Sequence, residues 1–228
     1  MLKIQSIFDA LRTMDLREQV MHNRVPLTLA GSVGALAIVG IWILSSVTGV
    51  DLSDLTRDPN AVTDTHLYVG ALSTTGIMLW AATAGICFLG AANLFVLPHH
   101  RSAAWFLLSA GMLTAMLGLD DAFLLHERVF PTHFGLPQKG VYLTYISMIL
   151  GFLLFFFHRI LRTDYVLLGT SLFFMALSVG MDEFIPYSRF ETFVEDSCKF
   201  VGIVFWLTYF GWTANKLVRN TFEASLAR

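Results

Sequence analysis

Six long apolar runs decide what this chain can fold into. They cover roughly residues 25–49, 67–96, 103–127, 141–161, 165–185 and 192–216. Each supplies the about 20 residues that a helix rising 1.5 Å per residue needs to cross a hydrocarbon core. Backbone groups placed in hydrocarbon must find their hydrogen bonds within the segment, so such runs predict helices. Composition points the same way: 55% of the chain is hydrophobic and only 14% is charged, where a soluble domain carries about a quarter. The expected fold is all-α, a polytopic membrane protein with six transmembrane helices.

Before the first run, Leu2, Ile4, Ile7, Phe8, Leu11, Met14 and Leu16 recur at spacings that suit one helix face. Lys3, Asp9, Arg12, Arg17 and Glu18 fall between them. That pattern predicts an amphipathic helix lying in the membrane interface. The expected domain plan is therefore 1–24 as an interfacial helix, 25–216 as the six-helix transmembrane domain, and 217–228 as a short cytoplasmic tail. Pro26, Pro98, Pro131, Pro137 and Pro186 all fall at or beyond run ends, where a missing N–H does least harm. Small residues recur on the first two runs, at Gly31, Gly34, Ala35 and Gly40 and at Ala81, Ala84 and Gly85, and read as close-packing stripes. Cys87 and Cys198 lie in separate apolar blocks and read as small core residues.

Charge sets the orientation. Ten basic residues (Lys3, Arg12, Arg17, Arg24, Arg101, Arg159, Arg162, Lys216, Arg219 and Arg228) fall on one side of the expected bundle. Four (Arg57, Arg128, Lys139 and Arg189) fall on the other. The positive-inside rule then puts both termini in the cytoplasm.

With that orientation, the ends of the third and fifth runs and the start of the sixth lie together on the outer side. They carry Asp120, Asp121, His126 and Glu127; Asp182 and Glu183; and Glu191, Glu195, Asp196 and Lys199. Charge dipping into a spanning helix costs about 2.5–3.5 kcal/mol per residue at the helix centre, so such residues face the protein interior and usually act there. On one continuous helix, Asp120 and Glu127 would share a face two turns apart. Glu191, Glu195 and Lys199 step along one stripe of the sixth run. Lys199 reads as the charge partner of Glu195 or of a carboxylate on the third or fifth run.

Carboxylates with one imidazole form a ligand set for hard or borderline cations. The candidate metal ligands are Asp120, Asp121, His126, Glu127, Asp182, Glu183, Glu195 and Asp196, and the candidate cofactor is a divalent metal ion. No Glu-x-x-His motif accompanies them, which speaks against a two-iron bundle site. Protons would offset the gathered charge as well as a cation would. A purely structural acidic rim, neutralised by Lys199 and Arg189, is the plainer alternative.

The segment Leu119-Asp120-Asp121 to His126-Glu127 resembles the Leu-Asp-Asp/Glu…His-Glu helix end of a loose group of bacterial multi-pass inner-membrane proteins. That resemblance implies a bacterial inner (plasma) membrane and about six helices, and supplies no activity. A second comparison is with the intramembrane zinc hydrolases that include alkaline ceramidases and adiponectin-receptor-like proteins. They place three histidines in a seven-helix bundle, whereas this chain has six runs and no paired histidines on the last one, so it is not assigned there.

Two classes of function follow. One is a membrane enzyme, metal-dependent or not, with an outward-facing carboxylate/His cluster that acts on a lipid or other amphipathic substrate. The other is non-enzymatic: a subunit of a larger membrane complex, or a cation or proton translocator. The inner halves of the third, fifth and sixth runs are nearly free of charge, which disfavours a transport path. The expected partners are the lipid bilayer and other membrane proteins, with no nucleic acid.

Overall fold

The computed structural model describes residues 21, 24–57, 59–66, 68–97, 100–186 and 188–226. Apart from Met21 and Arg24, the interfacial helix expected over 1–24 lies outside the described residues. The described chain is helical, with no strand among the described residues. It divides into two compact units, one ending at Val69 and one beginning at Gly70.

The first unit contains α1 (Arg24–Thr48), α2 (Leu52–Thr56) and α3 (Pro59–Val62). Gly49 stops α1 by taking a left-handed backbone (φ 72°) that a side chain would resist. Asp51 then caps α2, its Oδ1 accepting the Ser53 N–H at 2.8 Å. Those bonds from Ser53 hold the Asp51 carboxyl below the usual carboxylate range. Further on, the Asn60 side-chain amide donates to the Val69 carbonyl at 3.2 Å. The acidic connection is thus shaped by local hydrogen bonds.

The second unit runs α4 (Ala71–Phe95), α5 (Arg101–Phe123), a π-helical turn (Leu125–Val129), α6 (Phe130–Phe134), α7 (Gln138–Phe155), α8 (Phe157–Ile160), α9 (Tyr165–Phe184) and α10 (Arg189–Leu226). Four of these, α4, α5, α7 and α9, are long and apolar enough to cross a membrane. The 38-residue α10 carries Glu191, Glu195 and Asp196 in its first third and then no charge over residues 200–215. It also continues to Leu226, so residues 217–226 are helical.

α5 packs along α4, and α10 packs along both α4 and α9. Phe106, Leu107, Ile203, Trp206 and Phe210 are almost fully buried at the centre. Glycines set the closest approaches. A Cβ at Gly118 would stand 2.8 Å from Trp80 Cβ, and one at Gly111 would stand 2.7 Å from the Phe88 ring. Gly202 meets the backbone of α9 and accepts the Ser171 hydroxyl on its carbonyl at 2.7 Å. The stripe expected on α4 is not what packs there: Ala84 is buried, but Ala81 and Gly85 are exposed.

Two expected runs change shape. α7 begins at Gln138 and breaks at Phe156, and it buries only Val141 and Phe152. α5 stops at Phe123, short of the expected residue 127. At the end of the bundle away from these acidic residues, Lys216 bonds Asp164 at 2.8 Å and Arg159 bonds the Ser102 hydroxyl at 3.0 Å.

If Gly202 sets the α9–α10 spacing, Gly202→Ala should cost about 1–3 kcal/mol, because its Cβ would press on Met175 and on the Ser171 carbonyl. Gly169→Ala, with open space around its position, should be neutral or stabilising by up to about 1 kcal/mol. Thermal melting of the solubilised protein separates the two; equal losses would contradict this packing.

Candidate functional site

The site is built where α5 stops. Leu124 adopts a left-handed backbone (φ 51°, ψ 45°), a conformation that costs an L-residue about 1–2 kcal/mol. The chain then enters the π-helical turn, a form that recurs at functional positions. Asp120 holds this break together. Its backbone carbonyl accepts the Leu124 N–H, and its Oδ1 accepts the His126 N–H at 2.9 Å. Oδ2 lies 2.5 Å from His126 Nδ1. From α7, the Tyr145 hydroxyl donates to Oδ1 at 2.8 Å. One carboxylate therefore fixes both the backbone and the ring of His126, and both residues are only 6% exposed.

With Nδ1 occupied by Asp120, Nε2 is the nitrogen left to work. It lies 3.6 Å from the Glu127 carboxylate, while the Tyr142 ring sits 4.9 Å from the imidazole, centre to centre. The shared helical face expected for Asp120 and Glu127 does not exist, because the helix ends at Phe123 and Leu124 turns the chain. The turn, not helical periodicity, brings Glu127 toward the site.

Asp121, the next residue, pairs with Lys199 and so ties α5 to α10. Of the partners expected for Lys199, the carboxylate on the third run is the one it takes. Asp182, at the end of α9, accepts the Tyr142 hydroxyl at 2.9 Å and the Gln138 amide at 3.4 Å. Its neighbour Glu183 pairs with Lys139.

These groups surround a cavity of about 710 Å³, within the 300–1,000 Å³ usual for small-molecule sites. Asp120, Asp121, His126, Glu127, Asp182, Glu195, Asp196 and Lys199 all line it, and Glu191 joins them. Glu183 does not. It belongs to a second, apolar hollow of about 710 Å³ between α7 and α9. The two hollows share Tyr142, Ile146, Ile149, Met175 and Val179 in their walls.

Sequence reasoning overlooked the α7 contribution: Gln138, Tyr142 and Tyr145. The signal was there, as polar side chains one turn apart on an otherwise apolar run. It also overlooked Trp80 and Ser178, both buried and both lining the cavity; single residues of those types in apolar runs give no warning. His133 is exposed and outside the cavity.

The donor chemistry bears on a cation. Asp120 and Asp121 are engaged by His126, Tyr145 and Lys199. The donors left toward the cavity are His126 Nε2 and the carboxylates of Glu127, Glu191, Glu195 and Asp196. Among the described residues, no group of three or more His, Cys, Asp and Glu side chains stands close enough together to hold a metal ion.

The Asp121–Lys199 pair is testable by itself. Lys199→Met should cost about 1–3 kcal/mol, since it leaves a carboxylate that is 9% exposed without its cation. Adding Asp121→Asn should restore much of that loss, giving a coupled double-mutant cycle in melting experiments. Additive losses would mean the pair is not the tie.

A family profile described as Domain of unknown function (DUF8692) matches residues 29–213, a stretch that contains every residue of the cavity. No curated protein and no solved structure matches the chain.

Proposed function

Taking as premise that the chain belongs to the family described as Domain of unknown function (DUF8692), we propose that it is an integral membrane enzyme acting on a lipid or other amphipathic substrate, with His126 as its general base. The observation that carries this reading is the grip of Asp120 on both the backbone and the ring of His126, inside a cavity that adjoins an apolar slot.

A base needs a nitrogen poised in hydrogen-bond reach of its target and a second group that fixes the ring. Asp120 is that second group. It accepts from Nδ1 and directs Nε2 to take a proton from water or from a substrate hydroxyl. Tyr145 and the His126 N–H hold the carboxylate in turn, so the pair is set before any substrate arrives.

The setting we propose is a bacterial inner membrane with six spans, both termini cytoplasmic and the N-terminal amphipathic segment in the interface. Four membrane-length apolar helices support it. So do the 25 residues of α1 and the uncharged stretch of α10. The ten-to-four Lys/Arg bias supports an orientation with the cavity in the outer leaflet.

A divalent cation is the second reading, favoured by one observation. Asp120, Asp121, Glu127, Asp182, Glu191, Glu195 and Asp196 line the cavity against only Arg128 and Lys199. Carboxylates crowded in a poorly solvated space repel, and a divalent cation that drew some of them together would relieve that.

The test is incubation of the reconstituted protein with a total membrane-lipid extract, read by mass spectrometry with and without chelator. A lipid product should form with the native protein and fall at least about a hundredfold with His126→Gln. Asp120→Asn should lose activity as well. Loss of product on chelation would establish the cation. An extract left unchanged by native protein and variants alike would overturn the enzyme reading in favour of a non-enzymatic membrane component.

A further inference from the structure

We infer that α7 is a side gate to the acidic cavity, hinged at its Phe152–Phe156 end and latched at the other by Gln138, Lys139, Tyr142 and Tyr145. Such a gate serves the cavity whatever reaction or ligand the cavity is for.

The two ends of α7 are held by different forces. At the Phe156 end the hold is aromatic packing. Phe152 stacks on Phe106 with ring centres 5.5 Å apart, and Phe156 meets the same ring edge-on at 5.2 Å. Phe106 is completely buried, and Phe152 and Phe156 nearly so. Parting these rings would forfeit close contacts that lipid or detergent chains replace poorly. The helix itself breaks here, at Phe156 (φ −101°, ψ 13°), before the single turn of α8. That break is a joint in the backbone.

At the Gln138 end the hold is polar. The Tyr142 hydroxyl and the Gln138 amide donate to Asp182, at 2.9 and 3.4 Å, and Lys139 pairs with Glu183. Lys139, Asp182 and Glu183 are exposed, so water can take over these bonds at small net cost. Deeper in, the Tyr145 hydroxyl reaches Asp120 at 2.8 Å. The chain enters this end of α7 through Gly135, Leu136 and Pro137, all exposed, with Gly135 in a left-handed backbone (φ 64°).

Between its ends α7 stands apart from α9. Ile146, Leu150 and Leu153 on one helix and Leu172, Ala176 and Gly180 on the other line a hollow of about 710 Å³. A Cβ at Gly180 would meet nothing within 4 Å, whereas one at Gly202 would press on α9. Apart from its latch, α7 therefore has little to lose by swinging about its aromatic end. That swing parts Tyr142 and Ile146 from Met175 and Val179, the walls that the hollow and the acidic cavity share, and opens the cavity sideways. Closure returns Tyr145 to Asp120, so the carboxylate that grips His126 is fully bonded only with the gate shut.

Thiol labelling tests the gate on the full chain in dodecyl maltoside micelles. The reporter is Ser178→Cys, at a position 4% exposed in the cavity wall, in a Cys198→Ser background. Native Cys87, completely buried against α5, is the internal reference, and pyrenyl maleimide, bulky and apolar, is the probe. Lys139→Met with Glu183→Gln, neither residue in the acidic cavity's wall, should speed labelling at position 178 about threefold, and adding Tyr142→Phe should bring the gain to about tenfold. Cys87 should stay unreacted in both. In the opposite direction, Lys139→Cys bridged to Glu183→Cys by a short bismaleimide, applied before the probe, should slow labelling about tenfold. An unchanged rate in the release variants would show that these bonds do not hold α7, and the gate fails. An unchanged rate in the bridged protein would show that the cavity is entered elsewhere, and the gate fails. Equal acceleration at position 178 and at Cys87 would mean general loosening of the bundle, which also overturns it.

Discussion

A single carboxylate holds the site in place. Asp120 accepts the His126 N–H and the Tyr145 hydroxyl on one oxygen and faces the His126 ring with the other. Those bonds help offset the strain of Leu124, whose left-handed backbone stops α5 and turns the chain into the π-helical segment. Had α5 simply continued, His126 and Glu127 would have been carried further along the helix and away from the groups that now surround them. The break and the carboxylate that stabilises it are thus one device.

Packing explains why the cavity sits at this end and why it stays open. Gly111 and Gly118 let α5 close onto α4, while Gly202 lets α10 close onto α9. These contacts give a tight frame with Trp206 and Phe210 at its centre. α7 stands apart from that frame. It buries only Val141 and Phe152 and is otherwise tied to the site through Tyr145, Tyr142, Gln138 and Lys139. A helix held by polar bonds at one end and by aromatic packing near the other leaves space along its middle, and the apolar slot is that space. Elements with few buried contacts open at lower free energy than the core does. On the amphipathic-substrate reading we propose, α7 is the element that yields to let the substrate in.

Much of the frame was legible in the sequence, because hydrophobic runs and prolines report directly on helix extent. The positions of α4, α9 and the apolar part of α10 follow from that pattern, as does the gathering of Asp120, Asp182, Glu195 and Lys199 at one end. The partner of Lys199 was open between its own helix and its neighbours, and the structure gives Asp121. What could not be read was local backbone geometry. Nothing in Leu124 announces a left-handed residue, so His126 and Glu127 looked like a continuation of the helix. Glu183 looked equivalent to Asp182, yet adjacent helical positions point in different directions, and it faces the slot instead. The close approaches at Gly111, Gly118 and Gly202 were not singled out for a related reason: a small-residue stripe shows where approach is allowed, and only the partner's shape decides where it happens.

On the general-base reading, Asp120 fixes His126 with its proton on Nδ1 and leaves Nε2 to act. Nitrogen-15 NMR of histidine-labelled protein, with the His126 signals assigned by their loss in His126→Gln, reads this state directly. The expected result is an imidazole protonated at Nδ1 with a strongly hydrogen-bonded proton, and loss of that single tautomer in Asp120→Asn. A native His126 protonated at Nε2, or a tautomer unaffected by Asp120→Asn, would contradict it.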